Sequence, residues 1–237
     1  MRDCLVIIPA YNEGGNIKKV LTGLKKTNPY IDILVVNDGS TDNTEAVVRA
    51  EKVRLISLPF NLGYGGALQA GFKYAVSEGY RYVVQFDGDG QHDPEDIKTI
   101  LNLLEKGYDI VIGSRFLGRG AFKTGFLKRM AINVFRLVIK ASTGVKVTDP
   151  SSGLQGLSRR TFRHYSEIGH FPPDYPDADV LIQMILSGFK VVEFPANIRG
   201  REYGRSMHAG LRPLFYFIKM LVSILVVLLR PKLKRGG

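Results

Sequence analysis

The sequence of 237 residues contains one cysteine, Cys4, and no tryptophan. A single cysteine excludes an intrachain disulfide framework and a cysteine-rich zinc site, and it fits a reducing, cytosolic environment. Without tryptophan, and without a basic segment that carries interleaved aromatics, the sequence offers no stacking platform for nucleic acid. The N-terminal apolar run is too short for a signal peptide, so we expect the body of the protein to stay in the cytoplasm.

Acidic residues are scarce in two segments, and these segments produce the net charge of +11. Residues 1–114 carry 12 basic and 15 acidic side chains, whereas residues 115–140 carry seven basic and no acidic ones. Residues 199–237 carry nine basic residues against Glu202 alone. Basic blocks beside apolar sequence indicate attraction to phosphate in a ligand, a lipid head group or a nucleic acid. The acidic balance of the first half disfavours the nucleic acid.

Long apolar runs are also scarce, and the main one covers residues 213–229, where Lys219 is the one charged residue. A helix that crosses a bilayer needs about 17–25 apolar residues, so this segment is at the lower limit. We expect a helix that lies at the membrane surface or tilts into one leaflet, with a full crossing as the alternative. The basic residues that follow favour an anionic membrane surface.

A second amphipathic helix is predicted from Phe126 to Lys140, because four polar residues share one helical stripe. They are Arg129, Asn133, Arg136 and Lys140. Two roles are open for this helix, contact with a phosphate-bearing surface or ordinary packing in the core.

Strands and helices alternate along the first half of the sequence. The predicted strands are residues 4–8, 31–36, 53–58, 82–86 and 109–112, and the predicted helices are residues 15–26, 44–49, 65–77 and 94–106. This order predicts right-handed βαβ units and an α/β fold with a mostly parallel sheet flanked by helices. We expect one domain over residues 1–210 and an apolar helix with a basic tail over residues 211–237.

Polar motifs follow four of the predicted strands. They are PAYNE at 9–13, NDGSTD at 37–42, DGDGQHD at 87–93 and GSR at 113–115. Ligands of parallel α/β sheets bind at the carboxyl ends of the strands, so the four motifs are expected to meet in one crevice.

The motif at residues 87–93 is the most informative one. Asp87 and Asp89 would point to opposite faces of an extended strand, but Gly88 and Gly90 allow the backbone to bend and bring them together. Carboxylate oxygens suit Mg²⁺ or Mn²⁺. Asp93 is interpreted as a cap for the following helix rather than as a ligand.

In this order and spacing the four motifs resemble family 2 glycosyltransferases with the GT-A fold. The sequence is most similar to the members that transfer a sugar from a nucleotide to a polyprenyl phosphate, such as the dolichyl-phosphate mannosyltransferases and their bacterial undecaprenyl-phosphate relatives. The resemblance implies an inverting, metal-dependent transfer at the cytoplasmic membrane face, for the synthesis of a surface glycan. A UDP-hexose or UDP-N-acetylhexosamine is the favoured donor, and GDP-mannose is the alternative.

The resemblance also implies roles for individual residues. Asp87, Asp89 and the amide of Gln91 correspond to the metal triad for Mg²⁺ or Mn²⁺. The residues implied to bind the nucleotide sugar and its phosphates are Pro9, Ala10, Tyr11, Glu13, Asp38, Gly66, Asp87, Gly88, Arg129, Arg199, Arg201, Arg205 and Ser206. The residues implied to act in catalysis are Asp89, Arg115 and Asp179.

The acceptor decides whether a base is needed. A sugar hydroxyl must lose a proton as it attacks, whereas a phosphate oxygen is already anionic and needs positioning and charge screening. Asp179 is the candidate base for a hydroxyl acceptor, and Asp177 is interpreted as a helix cap. His164 and His170 are isolated in the sequence and receive no role. Movement of the lipid product across the membrane would require a separate small membrane protein.

Overall fold

The computed structural model describes residues 2–118, 126–173, 176–198 and 212–229. The strands are β1 (Arg2–Ala10), β2 (Asp32–Asn37), β3 (Arg54–Ser57), β4 (Tyr80–Gln85), β5 (Ile110–Ser114), β6 (Gln155–Ser158) and β7 (Val191–Pro195). The helices are α1 (Ile17–Thr27), α2 (Thr44–Ala50), α3 (Tyr64–Ser77), α4 (Asp96–Glu105), α5 (Phe126–Thr143), α6 (Arg159–Ser166), α7 (Ala178–Leu186) and α8 (Arg212–Leu229).

The strands form one seven-stranded sheet in the order β3-β2-β1-β4-β6-β5-β7. All neighbours are parallel except β6, which runs antiparallel to both β4 and β5. The chain builds outward from β1 to β3 and then returns to place β4 beside β1. This reversal opens a crevice at the carboxyl ends of β1 and β4, where α/β proteins bind ligands. The predicted α/β fold and its mostly parallel sheet are confirmed.

A hydrophobic core covers each face of the sheet. One face packs against α3, α6 and α7 through residues such as Ile7 and Phe72, and the other packs against α1 and α4 through residues such as Ile8 and Ile97. Burial of each such side chain stabilises the fold by about 1.5–3 kcal/mol. A Cβ atom on Gly71 would lie 2.6 Å from the side chain of Ile7, so this glycine is what allows α3 to approach β1 closely.

The two helices predicted to be amphipathic both form, and they bury different amounts of apolar surface. Helix α5 buries Ile132, Phe135 and Ile139 in the core, which confirms packing as one of its roles. Helix α8 buries Met220 and Ile224, one turn apart. The opposite side of α8 exposes Leu221, Val222, Leu225, Val226, Leu228 and Leu229. Among the helices of the described residues, none combines the length and the apolar character that a membrane crossing requires.

Candidate active site

Asp87 lies at the centre of the crevice, two residues after the end of β4. Its Oδ1 atom accepts a hydrogen bond from the Tyr64 hydroxyl at 2.9 Å, and its Oδ2 atom lies 3.1 Å from Nε2 of His92. Burial by itself would raise the pKa of the Asp87 carboxyl, but the contacts with His92 and Tyr64 outweigh it and hold this pKa below its ordinary value. Asp87 is therefore held as a carboxylate in a fixed orientation.

The loop before β6 closes on the same carboxylate. A Cβ atom on Gly153 would lie 1.9 Å from Oδ2 of Asp87, so only glycine fits at this position without displacing the carboxylate. The Nε2 atom of Gln85 donates hydrogen bonds to the Tyr64 hydroxyl at 2.9 Å and to the Gly153 carbonyl at 3.3 Å. Tyr64 and Gly153 thus contact Asp87 directly, and Gln85 holds both of them in place.

Asp89 lies on the tight turn that follows Asp87. Gly90 has a φ of +77°, a left-handed conformation that favours glycine. The backbone amide of Gln91 donates a hydrogen bond to Oδ1 of Asp89 at 3.0 Å. Two carboxylates and a side-chain amide on one turn form a set of hard oxygen donors, which fits Mg²⁺ or Mn²⁺. Asp93 accepts a hydrogen bond from the backbone amide of Glu95 at 3.1 Å, but Glu95 is the N-cap residue of α4, which has no side-chain cap, so the expected cap at Asp93 is wrong.

Arg115 follows β5 and forms a buried ion pair rather than a surface one. Its Nε and Nη2 atoms donate to the two carboxylate oxygens of Asp149 at 2.8 and 2.7 Å, and Nη2 also donates to the Ser151 carbonyl at 2.9 Å. The Asp149 side chain is completely buried. Burial would lower the pKa of the guanidinium, but Asp149 outweighs it and raises this pKa. Asp87 also raises the pKa of Arg115. Ser151, which accepts from Arg115, lies two residues before Gly153, which packs against Asp87, so one loop contacts both groups.

Glu193 on β7 holds the backbone of the segment that carries Asp149. Its carboxylate accepts hydrogen bonds from the backbone amides of Thr148 at 2.7 Å and Asp149 at 2.8 Å. Burial raises the pKa of Glu193, and the two amides offset part of that rise. The segment that presents Asp149 to Arg115 is therefore anchored to the sheet.

The PAYNE and NDGSTD motifs interlock at the neighbouring strand ends. Oδ1 of Asn12 accepts hydrogen bonds from the amides of Thr41 and Asp42, and the Glu13 amide donates to Oγ1 of Thr44 at 2.9 Å. Oδ1 of Asp42 accepts a hydrogen bond from the backbone amide of Thr44 at 2.9 Å, at the start of α2. Much of each motif thus shapes the loops of the crevice.

Pro9, Ala10 and Tyr11 lie where β1 meets the crevice. Pro9 and Ala10 are buried, and Tyr11 is 45% exposed. A Cβ atom on Gly88 would be in ordinary contact with the Pro9 carbonyl, which places β1 against the carboxylate turn. Tyr11 is the member of this group with an accessible side chain, so a contact with a nucleoside is sterically open to it.

Asp38 is buried, and its carboxylate organises the next loop. Its oxygens accept the amides of Leu62 at 2.7 Å and Gly63 at 3.0 Å. Burial raises the pKa of Asp38, and these two amides partly offset the rise. Both carboxylate oxygens of Asp38 thus already have partners within the protein. A contact between Asp38 and a nucleotide base stays a prediction.

Gly66, implied by the resemblance to bind the nucleotide sugar, lies in the first turn of α3. The Gly66 amide donates to the Pro173 carbonyl at 3.0 Å, so this amide is not available to an anion. A Cβ atom on Gly65 would lie 2.0 Å from the Pro172 carbonyl. The glycines of this segment therefore allow close packing against the loop at 171–173.

The two acidic residues at the start of α7 face different surroundings. Asp179 is 5% exposed, and its carboxylate accepts hydrogen bonds from the Val180 amide and from the Ser223 hydroxyl on α8. Asp177 stands at the N-cap position without a side-chain cap bond, and its charge acts on both Tyr64 and Arg115. The structure thus brings Asp177, rather than Asp179, electrostatically close to the Asp87 cluster.

The remaining predicted binding residues are basic or polar. Arg129 is exposed on α5. Arg199, Arg201, Arg205 and Ser206 lie outside the described residues.

Sequence reasoning missed four residues that contact the predicted site residues directly. They are Tyr64, His92, Asp149 and Gly153. The available signals were local. His92 belongs to the same polar motif as Asp87, and Asp149 and Gly153 begin and end the short polar sequence DPSSG at residues 149–153. Tyr64 lies in a glycine-rich stretch far from Asp87 in sequence, where no local pattern indicates the contact.

Curated relatives of this chain include polyprenyl-phosphate glycosyltransferases. The polyprenol monophosphomannose synthase of Mycolicibacterium smegmatis is 30% identical over 87% of this chain and 81% of its own length. The UDP-N-acetylglucosamine--dolichyl-phosphate N-acetylglucosaminyltransferase of Methanococcus voltae is 35% identical over 70% of this chain and 74% of its own length.

A solved structure with a similar fold is glucosyl-3-phosphoglycerate synthase from Mycobacterium tuberculosis, in complex with Mn²⁺, UDP-glucose and phosphoglyceric acid. It superposes with a TM-score of 0.70 at 20% identity and covers 97% of this chain and 81% of its own. This likeness shows the GT-A architecture. The family model described as Glycosyl transferase family 2 matches residues 5–166. The chain therefore belongs to glycosyl transferase family 2.

Proposed function

We propose that this enzyme transfers a sugar from a nucleotide diphosphate sugar to a polyprenyl phosphate at the cytoplasmic face of a membrane, with inversion at the anomeric carbon. The observation that carries the proposal is the loop at residues 149–153, which holds Arg115 through Asp149 and Ser151 and contacts Asp87 at Gly153. The Asp87 turn is suited to hold the cation of the donor diphosphate, and Arg115 brings positive charge to a second phosphate. The relatives named for dolichyl and polyprenol acceptors support the same acceptor class.

The donor half of the site is the carboxylate turn. Asp87, Asp89 and Gln91 would hold Mg²⁺ or Mn²⁺, which when bound neutralises the leaving diphosphate as a Lewis acid. Tyr64 and His92 keep Asp87 ionised and oriented before any ligand arrives. Tyr11, with its exposed ring, and Glu13 follow β1, whose last residues contact this turn at Gly88, and both are proposed to contact the nucleoside.

The acceptor half needs a positioned cation more than a base. The acceptor phosphate oxygen is already anionic, so attack on the anomeric carbon requires orientation and charge screening. Arg115 is held rigidly by Asp149 and Ser151, which limits the reorganisation needed when a phosphate binds. As the new bond from the phosphate oxygen to the anomeric carbon forms, the bond to the diphosphate breaks on the opposite face. An α-linked donor then gives a β-linked lipid product.

Helix α8 gives the enzyme a surface for its lipid acceptor. Its outer side exposes a continuous row of leucine and valine residues, including Leu225 and Leu229, while Met220 and Ile224 attach it to the fold. Exposed apolar area of this kind marks an interaction surface, and the basic residues after residue 229 favour anionic lipid. A small membrane protein partner for later movement of the product remains part of the proposal.

A glycan-extending transferase with a sugar hydroxyl acceptor is the second candidate function. The observation in its favour is Asp177, whose charge acts on Arg115 and Tyr64 and which could serve as a base. Asp177→Asn would abolish transfer in that case while donor binding survives. Asp179→Asn tests the assignment of Asp179 as the base. Because Asp179 is buried against α8, the stability of this variant is measured together with its activity.

The main experiment incubates the purified full chain with a short-chain polyprenyl phosphate, Mn²⁺ and a panel of UDP-hexoses, UDP-N-acetylhexosamines and GDP-mannose. A lipid-linked sugar detected by mass spectrometry is the expected product, and the panel identifies the donor. Transfer to a sugar hydroxyl with no product on the lipid phosphate would instead establish the second candidate.

A matched pair of variants tests the carboxylate turn. Asp89→Asn should lose Mn²⁺ binding and transfer, whereas Asp93→Asn keeps the Oδ1 acceptor of the Glu95 amide and should retain both. Wild-type metal binding and transfer in Asp89→Asn would refute the assignment of the turn.

Vesicle sedimentation tests the membrane surface. The full chain should sediment with anionic vesicles and less with zwitterionic ones, and Leu225→Gln combined with Leu229→Gln should reduce binding. Tyr30→Gln replaces an apolar residue that is 99% exposed outside α8 and should bind as wild type does. Equal sedimentation of all three proteins would remove α8 from the proposed membrane contact.

A further inference from the structure

Two histidines that are isolated in the sequence lie together in the structure, outside the candidate active site. The rings of His164 and His170 are stacked, with their centroids 4.4 Å apart. Glu167 lies between them in the sequence, and each of the three residues offers one ligand atom within 4.8 Å of the other two. The expectation that these histidines are isolated is therefore wrong, because the turn after α6 folds His170 back onto the helix end.

One imidazole nitrogen of each histidine in this cluster lacks a hydrogen-bond partner among the described residues. Nε2 of His164 and Nδ1 of His170 are both buried and unpartnered. Nδ1 of His170 lies 2.9 Å from a carboxylate oxygen of Glu167, but without the alignment that a hydrogen bond needs. Buried polar atoms without partners are rare in native proteins, and an ion that is absent from a structure is one of their ordinary explanations.

The donor atoms of the cluster are of the kinds that a transition-metal ion binds. Two imidazoles and one carboxylate are the donor types of zinc sites, whereas Mg²⁺ prefers oxygen ligands alone.

We propose that His164, Glu167 and His170 form a second metal site, which binds a transition-metal ion such as Zn²⁺ at the end of α6. The donor atoms of a tetrahedral zinc site lie about 3.3 Å apart, so the present separations of up to 4.8 Å must shorten by about 1.5 Å. The rings must also leave their stacked arrangement for both nitrogens to point at one ion. Glu167 is exposed and His170 is partly exposed, which leaves room for these side-chain rotations.

Metal bound here would tie α6 to the loop that supports the start of α3. Gln69 of α3 donates hydrogen bonds to the carbonyls of Tyr165 and Glu167, and the Gly66 amide donates to the carbonyl of Pro173. Gln69 and Tyr64 belong to the same helix, and Tyr64 donates a hydrogen bond to Asp87. The site would therefore stabilise the wall of the crevice without taking part in the reaction.

Calorimetric titration of the full chain with Zn²⁺ tests the proposal. Millimolar Mg²⁺ is present throughout, so that the carboxylate turn is saturated while imidazole ligands stay open to zinc. We expect one Zn²⁺ per chain and a rise in the unfolding temperature, since a ligand that binds the native state stabilises it.

Three variants assign the bound zinc to residues. His170→Asn and Glu167→Gln should each weaken Zn²⁺ binding by more than about tenfold, because loss of even an outer partner of a zinc ligand costs about 10–100-fold. Glu167 is exposed, so its replacement leaves the core intact. Glu105→Gln, a change of another exposed glutamate, should bind zinc as wild type does. No Zn²⁺ binding in Mg²⁺, or wild-type affinity in either of the first two variants, would overturn the three-residue site.

Discussion

Gly153→Ala probes how strictly the crevice depends on the position of Asp87. The added Cβ atom would lie 1.9 Å from Oδ2 and 2.6 Å from Oδ1 of Asp87. Ordinary carbon contacts are about 3.5 Å long, so the carboxylate must move by more than about 1 Å. The move breaks at least one of the hydrogen bonds with Tyr64 and His92, which costs about 1.5–3 kcal/mol for a charged acceptor.

The expected result is a large loss of activity with a moderate loss of stability. A misplacement of about 1 Å in a catalytic group costs about 100-fold in rate, so we expect kcat to fall by this factor and Mn²⁺ affinity to fall with it. Gly118→Ala is the matched control, because its Cβ atom would lie 3.7 Å from the nearest atom, an ordinary contact. The assay combines lipid-linked product formation with Mn²⁺ titration and urea unfolding. Wild-type kcat and Mn²⁺ affinity in Gly153→Ala would refute the reasoning.

Three further predictions concern single contacts. Tyr64→Phe removes the hydrogen bond to Asp87 and the one from Gln85, and it should lower the free energy of unfolding by at least about 1.5–3 kcal/mol, measured by urea unfolding. Asp149→Asn leaves Arg115 without its buried partner and should lower the free energy of unfolding by about 3–5 kcal/mol; a loss below about 1 kcal/mol, the value of a surface pair, would show that the pair is solvated. His164 has a lowered pKa when folded, so the unfolded chain binds its proton more tightly and stability should fall as pH drops below about 6.5. His164→Asn should flatten that fall in metal-free buffer, and an unchanged slope would assign it to other groups.

The order of elements could be predicted because it depends on local pattern. Short apolar runs and amphipathic stretches alternate, and right-handed crossovers leave a parallel sheet as the consistent arrangement. Residues 155–158 and 191–195, which become β6 and β7, were not predicted, since four or five half-apolar residues carry little periodic signal.

The assignment of the acidic residue near the site shows the limit of sequence spacing. Asp177 is the N-cap residue of α7 and Asp179 lies in the first turn of this helix. Their spacing does not say which carboxylate packs in the core, and the structure buries Asp179 while Asp177 stays partly exposed. Packing of α8 decides it, because Ser223 meets Asp179 and the charge of Asp177 is left to act on Arg115.

The sequence by itself determined the α/β fold, the family and the turn that carries Asp87 and Asp89, because these follow from short-range patterns at strand ends. Only the tertiary structure decided what holds the site together. Tyr64 meets Asp87 across 23 residues, Arg115 meets Asp149 across 34, and Glu193 reaches Thr148 across 45. Such contacts arise when distant segments share one sheet edge, so their partners are set by packing and by the need to satisfy buried polar groups rather than by sequence spacing.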